Sequence, residues 1–167
     1  MAQAAATVPP SDPSDEGPTL LGHPRGLFIL FFAEMWERFS YYGMRALLAI
    51  YIAQQFFAHL DKDAAKASAS ASYGGFTALV YALGIFGGSI ADRLLGYRRT
   101  IIVGGLFMAV GEFMLMSSSK AMFFMGLSAL IVGNGMFKPN ISTLVGKLYK
   151  PNDARRDSAF TIFYMGI

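Results

Sequence analysis

Residues Glu34–Arg45, "EMWERFSYYGMR", lie inside one of the most apolar runs of the chain, "GLFILFFAEMWERFSYYGMRALLAIYIAQQFF" (26–57). A charge at a bilayer centre costs about 2.5–3.5 kcal/mol on insertion scales, so Glu34, Glu37, Arg38 and Arg45 together cost on the order of ten. Such residues persist only where they pair or line a wet cavity. Their helical positions fit that condition. With Glu34 at zero and about 100° per residue, Glu37 falls near −60°, Arg38 near +40°, Arg45 near +20°, Tyr41 near −20° and Tyr42 near +80°. The six side chains share one arc of about 140°. Phe32, Trp36, Phe39, Gly43, Ala46 and Leu47 occupy the opposite side. The polar arc is expected to face a protein interior or a water-filled path, and the apolar side to face away from it.

The whole composition points the same way. Of 167 residues, 54% are hydrophobic and 15% charged, against about a quarter charged in a soluble domain. Mean hydropathy is +0.42, and the apolar residues come in blocks, as in an integral membrane protein. Cysteine is absent, which excludes disulfides and Cys-based metal sites. Residues 1–22 contain four prolines, three acids and no basic residue, a composition expected of a disordered cytoplasmic tail rather than a secretory signal.

The first run, about 27–57, is roughly 45 Å long as a helix, enough to cross a ~30 Å hydrocarbon core. Pro24 suits the helix's opening turn. "HLDKDAAKASASAS" (59–72) reads as a polar connection. Further runs follow at 73–91, 100–118 and 121–145, and a fifth begins at 159–167. Nine residues make only about 14 Å of helix, so the fifth run predicts continuation in a longer protein. Basic residues orient the runs. With the N-terminus cytoplasmic, Arg25, Arg93, Arg98, Arg99, Lys147, Lys150, Arg155 and Arg156 lie inside, and only Lys62, Lys66 and Lys120 outside. Eight against three favours that orientation, which makes the net charge of +3 a matter of topology rather than of nucleic-acid binding.

Other ionisable groups fall within spans. Lys138 sits well inside the fourth, in "KPN", where Pro139 cannot donate a hydrogen bond and clashes with the Gly135 carbonyl. A kink is expected there, with Asn134, Asn140, Ser142 and Thr143 available to satisfy the freed groups. Arg45 has no acid near it in sequence, which suits an anionic ligand group. Glu112 stands alone in the third span, and a packing contact and a function are equally open for it. Gly84, Gly87, Gly88, Gly104 and Gly105 are expected to permit close helix approach. His23 and His59 form no ligand cluster, "GNG" (133–135) is no nucleotide fingerprint, and no nucleophile–base pair is present. Neither an enzyme nor a bound cofactor is expected.

"EMWERFSYYG" fits the E-x-x-E-R-F-x-Y-Y-G signature of the proton-dependent oligopeptide transporters of the major facilitator superfamily. "GGSIADRLLGYRR" is similar to the superfamily's loop between second and third spans, "MFKPNIST" to the fourth-span motif and "AFTIFYMGI" to the start of the fifth. The resemblance covers nearly everything from His23 onward. It implies an all-α membrane fold, with this chain an incomplete N-terminal six-helix bundle (23–167) facing a second bundle that the chain lacks. It also implies symport of di- and tripeptides with protons by alternating access, in a multi-pass protein of a bacterial cytoplasmic membrane. By motif, Glu34, Glu37, Arg38 and Lys138 would couple protons. Arg45 and Lys138 would meet the peptide carboxylate, Tyr41, Tyr42 and Tyr81 would line the pocket, and Asp92, Arg93, Arg98 and Arg99 would form a gating loop. The implied partners are small peptides, the lipid bilayer and the C-terminal half of the transporter, with protons as coupling ion. Two alternatives remain at this stage: a carrier of the same fold for another solute such as nitrate, and a non-transporting membrane receptor or scaffold with structural ion pairs.

Overall fold

The computed structural model describes residues 18–167. Most of the expected tail lies outside the described residues, but its last part does not. Thr19–Leu20 (β1) and His23–Pro24 (β2) pair antiparallel as a minimal hairpin, with Leu21 and Gly22 at positive φ in the turn. Residues 18–22 are therefore folded rather than tail. Pro24 immediately precedes α1, Arg25–Phe56, where its missing N–H goes unneeded.

Helix α2, Lys62–Ile90, begins inside the stretch expected to be a connection. The Asp61 carboxylate caps it, accepting from the Asp63 and Ala64 amides at 3.0 Å each. The Ala/Lys/Ser run that follows has ample helix propensity despite its polarity. Asp61→Ala should destabilise that end by about 1 kcal/mol, seen as faster amide exchange confined to the first turn of α2. The helix continues as a short π-turn, Ala91–Leu95 (α3), closed by the Gly96 amide donating to the Ala91 carbonyl at 3.0 Å. Gly96 adopts φ 74°, a conformation that glycine reaches without steric cost. It leads directly into α4, Tyr97–Leu115. Helix α5, Lys120–Lys147, runs through Pro139, and α6 spans Arg155–Tyr164.

The basic segments meet at one end of the bundle. His23 Nδ1 lies 2.9 Å from the Tyr149 hydroxyl, Arg155 Nη1 donates to the Gly22 carbonyl at 3.0 Å, and the Lys147 ammonium sits 4.0 Å over the Tyr97 ring. Beside them Arg155 hydrogen-bonds Asp153 and holds that carboxyl down to about 2. Hairpin, α3–α4 turn and α5–α6 loop thus share one face.

Helix α5 is the central element, packed along both α2 and α4, with α1 against α2. Two apolar cores form. One holds Leu48, Ile52, Phe76, Val80, Phe123 and Leu127; the other holds Leu27, Leu30, Ile101, Ile141, Val145 and Phe163. The outer surface is also apolar: Phe32, Trp36, Phe39, Leu79, Ile85, Phe86, Leu106 and Phe113 are exposed. Polar side chains inside and large apolar ones outside is the pattern of a bundle solvated by lipid. Helices Lys62–Leu95 and Lys120–Lys147 are long and apolar enough to cross a membrane.

Only two of the five glycines expected at close contacts serve that purpose. A Cβ on Gly87 would stand 1.9 Å from the Gly135 carbonyl oxygen, and one on Gly104 2.8 Å from that of Gly133. Gly84, Gly88 and Gly105 face open space. Gly111 and Gly126, which pack against each other's backbone, complete the α4–α5 seam.

Candidate functional site

The polar arc of α1 turns inward. Glu34 is 2% and Arg38 4% exposed, while Phe32, Trp36 and Phe39 face outward. Because α1 contributes Leu27 and Leu30 to one apolar core and Leu48 and Ile52 to the other, residues 34–41 fall between the two. Arg38 Nε lies 3.2 Å from Glu34 Oε1, one helical turn earlier, and also bonds Glu37 Oε2. Asn134, on α5, donates to Glu37 Oε1 at 2.8 Å and reaches Met108 Sδ at 3.8 Å. One arginine therefore serves two carboxylates. Glu34 Oε2 and Arg38 Nη2 stay buried without a hydrogen-bond partner among the described residues.

The predicted site residues divide into two sets. Glu34, Glu37, Arg38 and Tyr41 are enclosed by the helices; Tyr42, Tyr81 and Lys138 lie on an open face, with Arg45 half-buried beside them. Arg38 bridges the sets, its guanidinium carbon 5.1 Å from the Tyr41 ring centre and 5.9 Å from that of Tyr42. Tyr41 stacks on Phe76 within the helix packing instead of standing on the open face. Lys138 sits 5.4 Å over the Tyr81 ring and within Coulombic range of Glu34. Arg45, which sequence left without a partner, bonds the hydroxyl of Tyr73 and lies over its ring. That partner is neutral, so the positive charge is not cancelled. Among the described residues no carboxylate pairs with Arg45 or Lys138.

Around Pro139, Asn140 donates to the Met136 carbonyl at 2.7 Å and to the Gly87 carbonyl at 3.0 Å, and Thr143 bonds the Pro139 carbonyl at 3.0 Å. Asn134, expected to serve the backbone there, goes to Glu37. In the turn after α2, Asp92 accepts from the Tyr97 hydroxyl, and Arg93, Arg98 and Arg99 are exposed. Tyr73 and Ser40 are contacts that sequence reasoning missed. Tyr73 falls on α2 at the level of Arg45, and nothing in its local sequence singles it out. Ser40 donates to Glu112 Oε1 at 2.9 Å.

The chemistry of this arrangement is ionic. Buried carboxylates that share one cation can exchange a proton for an ion pair. Two unneutralised cations among tyrosines suit an anionic group. Among the described residues no group of His, Cys, Asp or Glu has the form of a metal site.

Residues 98–167 match a family described as PTR2, the POT family. The chain is 49% identical over 148 residues to the uncharacterized transporter YclF of Bacillus subtilis strain 168, covering 87% of this chain and 30% of that protein. It is 47% identical over 155 residues to the di-/tripeptide transporter of Lactococcus lactis subsp. lactis, covering 89% and 30%. Among solved structures, a peptide transporter POT in complex with sulfate superposes with a TM-score of 0.81 at 44% identity, over 89% of this chain and 30% of that one. The chain thus spans about 30% of the length of the relatives it matches.

Proposed function

We propose that the chain is a member of the POT family, whose model its residues 98–167 match, and that it forms the opening part of a proton-coupled carrier of di- and tripeptides. The observation that carries this reading is the shared cation. Arg38 holds Glu34 and Glu37 and lies by the rings of the buried Tyr41 and the exposed Tyr42. Protonating Glu37 removes one of the two anions that engage Arg38. The cation, now held by Glu34 alone and lying by Tyr42, then favours an anionic substrate group. Proton binding and peptide binding thereby strengthen one another, the reciprocity that coupling requires. Lys138 and Arg45 receive the peptide carboxylate in this scheme, and Asp92, Arg93, Arg98 and Arg99 shape the cytoplasmic gate.

Four features support this reading against a purely structural ion pair: the unpartnered Glu34 and Arg38 atoms, the uncancelled charges of Lys138 and Arg45, the aromatic lining, and the relatives' names. Protons are the coupling ion, and no other cofactor enters. The N-terminus faces the cytoplasm of a bacterial cell, because Arg25, Arg93, Arg98, Arg99, Lys147, Lys150, Arg155 and Arg156 lie toward one end. The remaining partner is the rest of the carrier, which supplies the amino-terminal contact to the peptide.

Proton-driven dipeptide uptake by the full-length protein in liposomes tests the reading directly, and uptake of nitrate in preference to peptide would overturn it. Lys138→Ala should lower affinity for free peptides by the worth of a charged hydrogen bond, about 1.5–3 kcal/mol or roughly 10- to 150-fold. The preference for a peptide over its C-terminal amide should collapse with it. Unchanged discrimination between the two would take Lys138 out of the carboxylate site.

A further inference from the structure

Glu112 is the one ionisable residue in the interior of α4, and the scheme above gives it no task. It lies where two cavities meet. An open groove of about 260 Å³ runs past Tyr51, the exposed Leu47 and Met116, and Phe123, toward the end of the bundle opposite the basic loops, and has Glu112 on its wall. A second cavity, of about 170 Å³, is lined by Glu112 from α4, Glu37 and Ser40 from α1 and Asn134 from α5. Met44 and Glu112 line both. The second has room for water, and Glu37, Ser40, Glu112 and Asn134 are the polar groups that would hold it.

We propose that Glu112 is an outer proton-binding residue that delivers protons to Glu37 across the cavity the two share. This rests on the transport reading above and names the side from which its proton arrives. The titratable groups facing these cavities from α1 are Glu37, Tyr41 and Tyr51; α2 contributes Phe76, and α5 the neutral Phe123, Leu130 and Asn134. No cation lines either cavity among the described residues. The Ser40 hydroxyl, 2.9 Å from Glu112 Oε1, is the hydrogen-bond donor that offsets a charge on Glu112, and a proton is the species that neutralises it. Glu37 differs, since it already has Arg38 and Asn134. In the transfer a proton leaves the Glu112 carboxylic O–H, crosses the cavity on water and binds a Glu37 oxygen. The negative charge moves from Glu37 to Glu112, and Arg38 loses one of its two anionic partners.

The test compares the full-length protein with Glu112→Gln in liposomes, by uptake under an inward proton gradient and by peptide counterflow without one. Glutamine keeps the acceptor for Ser40 but carries no exchangeable acid proton. Proton-driven initial rates should fall about a hundredfold, the lower end for a positioned proton-transfer group, while counterflow stays within twofold of wild type. Glu112→Asp should recover part of the uptake, and a carboxylic acid infrared band that titrates in wild type should be missing from the glutamine variant. Uptake within threefold of wild type would overturn the proposal. So would a parallel loss of uptake and counterflow, which marks a structural role. Wild-type protein inactive in both assays would instead sink the transport reading itself, so the two failures are distinguishable.

Discussion

Glu37→Gln should abolish proton-driven accumulation of peptide and leave exchange between equal peptide pools intact. Glutamine preserves the shape of the side chain and an oxygen to accept from Asn134, which donates to Glu37 at 2.8 Å. It removes the charge that engages Arg38 and the site that takes up the proton. The variant resembles a carrier locked in the protonated state, with Arg38 held by Glu34 alone. Binding and reorientation with cargo persist, but the loaded carrier no longer takes a proton across with the peptide. The expected size is large. A driving force of 150 mV supplies about 3.5 kcal/mol per proton, which at about 1.4 kcal/mol per tenfold supports a gradient of a few hundredfold. In Glu37→Gln the inside-to-outside ratio should approach one, while counterflow proceeds near the wild-type rate. Wild-type accumulation by the variant would sink the coupling role of Glu37. Glu34 remains 3.2 Å from Arg38 Nε in either protein, so the arginine is not left as a wholly unpaired buried charge and the fold should survive.

Gly87→Ala carries the largest expected effect on stability. Its added Cβ would meet the Gly135 carbonyl oxygen at 1.9 Å and the Gly135 carbonyl carbon at 2.7 Å. These are backbone atoms at the turn of α5 that Pro139 deprives of a hydrogen bond, and backbone cannot rotate aside as a side chain end does. The Gly87 carbonyl also accepts from Asn140 at 3.0 Å, so separating the helices to make room would break that contact as well. Overpacking typically costs 1–3 kcal/mol, and a backbone collision on both helices belongs at or above about 3. The comparison is Gly88→Ala, one residue on, where nothing lies within 4 Å. Helix propensity there favours alanine by up to about 1 kcal/mol. In detergent, the first variant should melt far below wild type or elute as aggregate, and the second should match wild type or exceed it. Equal melting of Gly87→Ala and wild type would mean that α2 and α5 do not pack at this seam.

The contacts at the basic end of the bundle set a limit on what local sequence shows. The bonds from Arg155 to Gly22 and from His23 to Tyr149 span more than a hundred residues and join segments that read separately as tail and loop. The start of α2 was open to inference from Asp61 as a cap, but the polarity of 59–72 hid it. Helix α2 begins at Lys62, within that polar stretch, so loss of hydrophobicity does not mark a helix's end.

What the amino-acid order determined by itself was the angular content of α1. A 3.6-residue repeat assigns each side chain to a flank before any neighbour is known, and charges that lipid will not solvate must turn inward. The placement of Glu34, Arg38, Phe32 and Trp36 follows from that alone. Partners were a different matter. That Asn134 reaches Glu37, Tyr73 reaches Arg45, Ser40 reaches Glu112, and Gly87 rather than Gly84 or Gly88 admits its neighbour depends on how each helix is rotated and shifted against the next. Those quantities are set by the summed packing of whole helix faces, so only the tertiary structure decided them.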